Sequence, residues 1–306
     1  MRLKILLATR NGGRHLNEQL QSIDRQTFID WELLVSDDNS TDETLSILER
    51  YQQKLGADRL KIFEGPNDGY AKNFLSLVHA VNDDSDFYAF SDQDDIWEPA
   101  KLERAIAEIQ AIESDVPVMY CSSTRYIDSA GDHLGYSCRN IKEISFRNAL
   151  MQNIAGGNTM VFNRRAIFEL KYLGERTREI ISHDWMLYQL VTGCGGEVIF
   201  DTTPTVKYRQ HQSNAIGSNN SFAARLKRLL LFFKGRYRGW INDNLVALKH
   251  CESRLSDQAN RDLQYLNCVR NGSWTVKLGY LIKPKFKRQN KIETFVVSIG
   301  LFLGLV

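Results

Sequence analysis

Phe87-Tyr88-Ala89-Phe90-Ser91-Asp92-Gln93-Asp94-Asp95-Ile96-Trp97 sets an apolar run against three carboxylates crowded into four positions. The run has the length of a short buried strand. The acids therefore fall at its C-terminal end, the edge of an open α/β sheet at which ligands bind. Carboxylates this close repel one another unless a cation, a proton or a set of donors offsets the charge. A hard divalent ion such as Mg2+ or Mn2+ takes oxygen ligands, commonly one or two carboxylates completed by substrate phosphates. In isolation a solvated turn with a helix cap is the better reading, so the flanking sequence decides.

Upstream, the pattern repeats strand, polar loop, helix. Residues 3–9 form an apolar strand ending in Thr9-Arg10-Asn11-Gly12-Gly13, and Leu16, Leu20 and Ile23 mark a helical face. Trp31 to Ser36 is a second strand running into Asp37-Asp38-Asn39-Ser40, with Ser40 or Thr41 placed to cap a helix whose face is Leu45, Leu48 and Tyr51. Leu60 to Phe63 leads through a Gly-Pro-Asn turn to a helix with Phe74, Leu77, Val78 and Val81. The acid-bearing strand is the fourth. This alternation predicts a doubly wound α/β fold with a mixed, mostly parallel sheet and its polar loops on one edge.

Downstream, a helix runs from Ala100 to about Ile112, and Val116 to Ser122 reads as a strand; residues 123–150 are less regular. A glycine-bearing loop, Asn153 to Thr159, precedes the strand Met160-Val161-Phe162. Ser182-His183-Asp184-Trp185 opens a helix, and Val198 to Asp201 and Thr205 to Arg209 are strand-like.

The chain has 306 residues, 43% of them apolar, enough for a sizeable core. Its five cysteines are widely spaced, with no Cys-x-x-Cys pair, which fits reduced thiols. Met1-Arg2-Leu3-Lys4 leads straight into the first strand without a signal-peptide pattern, so a cytoplasmic location is expected. The net charge of +2 hides an asymmetry: residues 1–201 carry 21 Lys+Arg against 32 Asp+Glu, and the remainder carries 18 against 5. From Thr202 to Asn242, and again from Leu263 to Ile292, there is no acidic residue. Phe222, Leu226, Leu229, Leu230 and Phe233, interleaved with Arg225, Lys227, Arg228 and Lys234, describe a basic amphipathic helix. Lys283, Lys285, Lys287, Arg288 and Lys291 precede the apolar run Phe295 to Val306, which is too short to span a bilayer and suits an interfacial or core contact. Such a tail should seek an anionic surface, and the expectation is the inner leaflet of a membrane rather than nucleic acid.

Six segments taken in order, Thr9-Arg10-Asn11-Gly12, Val35 to Asp42, Gly69-Tyr70-Ala71-Lys72-Asn73, Ser91 to Trp97, His183-Asp184-Trp185 and Tyr208-Arg209-Gln210-His211, resemble the motifs of family 2 inverting glycosyltransferases with the A-type nucleotide-diphospho-sugar transferase fold. The wording of the last three is similar to the rhamnosyltransferase-like branch that builds bacterial surface polysaccharides such as the O-antigen of lipopolysaccharide. The resemblance covers residues 1–217. It implies a catalytic domain there, with a nucleotide-binding half to about 115 and an acceptor half from about 116 to 217. Residues 218–306 remain as a basic, helical, membrane-associating region.

For the site, the resemblance implies a divalent cation, Mn2+ or Mg2+, held by Asp94 with Asp92 and His211. Asp184 is the implied general base. Thr9, Asn11, Asp37, Asp38, Lys72, Asn73, Asp92 and Arg209 are expected toward the nucleotide and diphosphate. Gly156, Gly157, Asn158, His183 and Trp185 are expected beside the acceptor or donor sugar, and Asp95 is left between metal binding and capping. Local chemistry agrees for Asp184: if Ser182 caps the helix, this carboxylate lies in the first turn, where the dipole favours negative charge.

The implied reaction moves rhamnose from dTDP-rhamnose to a hydroxyl of a lipid-linked glycan, with a UDP-hexose or UDP-N-acetylhexosamine as the alternative donor. A homo-oligomer is left open. A sugar-nucleotide pyrophosphorylase is the competing enzyme, but it would want a basic, glycine-rich phosphate loop near the N-terminus, which Thr9 to Gly13 does not supply.

Overall fold

The computed structural model describes residues 1–210 and 235–306, apart from positions 83, 113, 114, 138, 175, 177 and 178. His211 and the basic amphipathic stretch through Lys234 therefore lie outside the described residues. The first half follows the expected alternation: β1 (Leu3–Thr9), α1 (Gly13–Asp24), β2 (Trp31–Asp37), α2 (Thr44–Leu55), β3 (Leu60–Glu64), α3 (Tyr70–Ala80) and β4 (Phe87–Ser91). β1 lies between β2 and β4, with β3 outside β2, all parallel.

Then come β5 (Ile96–Trp97), α4 (Lys101–Gln110), β6 (Val118–Ile127), β7 (His133–Tyr136), α5 (Phe146–Ala149), a 3-10 turn (Gly157–Thr159), β8 (Val161–Asn163), α6 (Arg164–Gly174), α7 (His183–Gly193) and β9 (Glu197–Arg209). Among the described residues the strand order is β3-β2-β1-β4-β8-β6-β9-β5, with β7 paired to β6. β8 runs antiparallel between β4 and β6, and β6 and β9 are parallel, so the sheet is mixed and mostly parallel.

Period-two alternation sends strand side chains to two cores. Leu3, Ile5, Leu7, Phe87 and Ala89 join one that is covered by α1, α2 and α4. Leu6, Tyr88, Phe90, Met119 and Phe162 join the other, covered by α3, α6 and α7.

Three local expectations change. Neither Ser40 nor Thr41 caps α2; the Asp42 carboxylate takes the Thr44 N–H at 3.0 Å, and the helix buries Thr44, Ile47 and Leu48 while Leu45 turns to solvent. The strand expected to stop at Ser122 continues to Ile127 and turns back through β7, because Thr124 to Ile127 extend it with residues that suit a strand but carry no clear apolar alternation. The two stretches read at 198–201 and 205–209 are one strand, interrupted opposite Ser122 and Thr124 by a bulge containing Pro204, which has no N–H to give the ladder.

The C-terminal region is helical: α8 (Arg236–Lys249), α9 (Asp257–Asn271), α10 (Trp274–Ile282) and α11 (Lys291–Leu303). Tyr237, Ile241, Leu248, Leu266, Val269 and Leu301 share one core with Phe146, Met151 and Trp185. The Tyr237 hydroxyl donates to the Met151 carbonyl at 2.5 Å, Arg147 pairs with Asp262 at 2.8 Å, and Arg254 donates to Glu169 at 3.0 Å. Among the described residues no helix is long and apolar enough to cross a membrane.

Each of those six side chains is worth about 1.5–3 kcal/mol when fully buried, so their sum rivals the whole stability of a domain. A chain ending at residue 234 should therefore be insoluble or lack a cooperative urea transition. Soluble, two-state unfolding of that chain would contradict the shared core.

Candidate active site

The acid loop is pinned at both ends. β4 closes one side, and on the other β5 pairs antiparallel with β9, Ile96 opposite Lys207 and Trp97 opposite Val206. Between them Gln93 reaches across to the β1–α1 loop, where its Oε1 accepts from the Arg10 N–H at 2.8 Å and its Nε2 donates to the Arg10 carbonyl at 3.0 Å. A Cβ at Gly12 would fall 2.3 Å from that Oε1, so the missing side chain lets the two loops meet.

The three carboxylates are not equivalent. Asp95 turns inward and is fully buried; its Oδ2 accepts from Asn158 Nδ2 at 2.5 Å and its Oδ1 from the Arg209 N–H at 3.0 Å. Burial, and then the neighbouring charges of Asp94 and Asp92, hold its carboxyl well above the usual range. Asp95 is thus a joint between the acid loop, the 3-10 turn and the end of β9. Asp92 and Asp94 stay half-buried at the loop surface. Burial, Asp94 and then Asp184 push the Asp92 carboxyl up to about 8, which puts the implied metal ligands and the implied base in one electrostatic cluster.

Asp184 occupies the first turn of α7, and the Ser182 side chain caps that helix by accepting from the Trp185 N–H. The Asp184 Oδ1 accepts from the Ser182 hydroxyl and from the Trp185 N–H, the latter at 2.7 Å, and its Oδ2 accepts from the Gly157 N–H at 3.1 Å. Those donors fix the carboxylate's orientation. A Cβ on Gly157 would lie 2.5 Å from His183 Nε2 and 3.2 Å from the Asp184 Cβ, so this turn comes close only because it carries glycine.

His183 is buried, stacks on Phe74 at 3.7 Å and meets Phe90 edge-on at 4.5 Å; burial pushes its pKa down to about 4, leaving a neutral packing group beside Asp184. Trp185 is buried, donating from Nε1 to the Ala149 carbonyl at 2.6 Å, and is a wall of the core rather than a sugar platform.

Several residues expected to face nucleotide also hold loops together. Thr9 donates to Asp37 at 2.7 Å, and Asp37 also accepts from the Ser40 N–H and hydroxyl at 2.8 and 2.6 Å. Asn11, at φ +49° and exposed, accepts from the Thr41 N–H at 2.8 Å. Asp38 accepts from the Asn67 N–H at 2.6 Å, and buried Asn73 donates to the Ser36 carbonyl at 3.0 Å. All five sit at the C-terminal ends of β1 and β2 or against them.

Two basic residues differ more sharply from expectation. Lys72 pairs with Asp68 at 2.8 Å and Glu179 at 3.4 Å. Arg209 is almost wholly buried; it donates to the Asp94, Asp128 and Ser129 carbonyls at 2.9, 3.2 and 3.1 Å and to Glu18 at 2.6 Å. Its guanidinium fixes the backbone of the acid loop, in place of the phosphate contact expected of it.

Sequence reasoning passed over Tyr70, at the start of α3. Its hydroxyl is 3.3 Å from the Ile181 carbonyl, and burial with the nearby charges of Asp184 and Asp92 pushes its pKa up to about 12. The motif containing it was visible; nothing in the sequence showed that the charges of both acids reach it.

Among the described residues no three His, Cys, Asp or Glu side chains form a ready-made ligand cage. Asp92 and Asp94 nevertheless fit a hard divalent ion completed by water and substrate oxygens, since they present oxygen donors two positions apart on one half-buried loop. A separate cleft of about 550 Å3, lined by Asp86, Phe87, Asn163 and Arg164 among others, opens at the start of β4, away from these acids.

With the acid cluster at the C-terminal sheet edge established, similarity to known proteins decides the family. Residues 4–174 match the family described as Glycosyl transferase family 2. The chain belongs to that family. It is 32% identical over 240 residues to the dTDP-rhamnosyl transferase RfbG of Shigella flexneri, spanning 76% of this chain and 81% of that one. It is 29% identical over 181 residues to the GalNAc(5)-diNAcBac-PP-undecaprenol beta-1,3-glucosyltransferase of Campylobacter jejuni, spanning 57% of this chain and 55% of that one. Its fold matches that of S. aureus TarS 1-349, solved in complex with UDP-GlcNAc, with a TM-score of 0.57 at 16% identity, covering all of this chain and 82% of that one. The family 2 chain is thus a glycosyltransferase with the A-type fold, and the pyrophosphorylase alternative gives way.

Proposed function

We propose that this glycosyltransferase moves rhamnose from dTDP-rhamnose, with inversion, to a hydroxyl of a lipid-linked glycan at the inner face of the cell membrane. The observation that carries this reading is the similarity to a dTDP-rhamnosyl transferase over three quarters of the chain. The Campylobacter relative, named for an undecaprenol-linked substrate, supports the lipid carrier.

In this mechanism the acceptor hydroxyl lies against Asp184 and behind the anomeric carbon, so that proximity and alignment supply much of the acceleration. The new bond forms from the acceptor oxygen to the anomeric carbon as the bond to the diphosphate breaks, and the hydroxyl proton passes to Asp184. Tyr70 and the Gly157 turn border the space in which the sugar would sit. Asp94 and Asp92 would hold a divalent cation, which when bound supplies positive charge to the departing diphosphate. Asp95, Arg209 and Gln93 keep those acids in place. The catalytic unit is residues 1–217, and residues 218–306 serve attachment, with α8 to α11 also packed into the shared core.

A second donor class, UDP-hexose or UDP-N-acetylhexosamine, is favoured by the fold match to a UDP-GlcNAc complex. Incubating the purified chain and Mn2+ with a panel of nucleotide sugars, while recording thermal shift and slow donor hydrolysis, separates the two. The largest responses are expected with dTDP-rhamnose. Larger ones with a UDP-sugar would move the assignment to the second class, and no hydrolysis of any donor would sink both.

A further inference from the structure

Helix α10 is apolar along most of its length, yet only Tyr280 is buried. Trp274 is 65% exposed and Ile282 79%. Helix α11 turns Val297 and Leu301 into the core, while Ile292, Phe295 and Leu303, at 73%, 62% and 57% exposure, recur at spacings that put them on the opposite side with half-buried Ile299 between them. Contact between the Trp274 and Phe302 rings at 6.2 Å joins the start of one helix to the end of the other, so the two form an antiparallel hairpin. A surface helix normally shows one apolar stripe, and α11 shows two.

The charge around this face is one-sided. From Leu263 to Ile292 the chain holds seven Lys+Arg and no acid, and Lys283, Lys285, Lys287 and Lys291 are exposed on the connection between the helices. The next acid, Glu293, is paired with Arg288 at 2.9 Å. Apolar side chains flanked by lysines, with a tryptophan at the margin, match the boundary between headgroups and acyl chains of an anionic bilayer.

The geometry points to the α10–α11 hairpin as the surface by which this chain lies on an anionic membrane, with Trp274, Ile282, Ile292, Phe295 and Leu303 entering the headgroup–acyl boundary and the lysines on the headgroups. This deepens the proposed function, from which it takes only the lipid-borne acceptor. It places an attachment surface in a hairpin that belongs to the packed part of the molecule.

Trp274 reports on the contact directly, because Trp31, Trp97 and Trp185 are buried and Trp240 is half-buried. Full-length chain added to phosphatidylglycerol–phosphatidylcholine vesicles should show a blue shift of tryptophan emission and quenching by brominated acyl chains, both lost in Trp274→Phe. Vesicle affinity should fall about tenfold or more in the double variant Ile282→Ser, Phe295→Ser, and by a similar factor in Lys283→Gln, Lys285→Gln, Lys287→Gln. Raising the salt should mimic the lysine variant only. The replaced side chains are exposed, so the fold should survive, and unchanged hydrolysis of free nucleotide sugar verifies it. Vesicle binding without donor hydrolysis in the wild type would sink the proposed donor and leave the membrane surface standing. Vesicle affinity unchanged in both multiple variants would overturn the hairpin proposal. So would emission that is already blue in free protein and unmoved by vesicles, or a dimer that falls apart in the apolar variant, either of which would mean that protein covers the face.

Discussion

Asp184→Asn is expected to lower the rate of sugar transfer by about 10³-fold, the scale of a lost general base, while donor affinity stays within about twofold of wild type. The amide keeps an oxygen for the Trp185 N–H and the Ser182 hydroxyl, so the start of α7 retains its shape. Only the oxygen facing Gly157 is exchanged for a donor, which leaves that N–H without its acceptor at a cost of about 1–3 kcal/mol. Single-turnover transfer measured beside calorimetric titration with the nucleoside diphosphate distinguishes the two effects. Loss of donor binding equal to the loss of rate would remove Asp184 from the role of base.

Asp94→Ala is expected to act on the other half of the reaction. The loop at this position is held through the Asp94 carbonyl, which accepts from Arg209 Nε, a bond the substitution keeps. Removing the side chain takes away one oxygen donor of the implied cation. Affinity for the nucleoside diphosphate in the presence of Mn2+ should fall by about 10²-fold, and added Mn2+ should no longer strengthen binding. Titrations with and without Mn2+ make the comparison, and a variant that still binds more tightly with Mn2+ would exclude Asp94 as its ligand.

Strand, loop and helix were legible through the first hundred residues because each strand there is a compact apolar run and each helix buries one stripe. That regularity carried the acid loop to the C-terminal edge of the sheet, and further along the serine at 182 marked the cap behind which Asp184 lies. It failed where a side chain's task depends on what folds against it. Nothing local to Arg209 shows that it ends beneath Asp94, more than a hundred positions earlier, and a buried arginine clamp has the same letter as a phosphate ligand. Asn158 and Asp95 are similar: both are polar residues in loops, and only their mutual contact shows that they form a joint. The extension of β6 was missed for a different reason, since residues from Ser123 onward favour extended backbone without marking which face is buried. The exposed faces of α10 and α11 lay hidden because an apolar sequence does not say whether protein covers it.

The joint at Asp95 also sets the order in which the molecule comes into being. Its two partners enter the chain 63 and 114 residues after it. Contacts so distant in sequence form only after intervening loops close, and β8, which carries the chain away from the Asn158 turn, must find both β4 and β6. As the chain is synthesised, the nucleotide half can therefore assemble around β1, β2 and β4 while its acidic loop still lacks its anchors. The acid loop, encoded before residue 100, is among the last places to be finished.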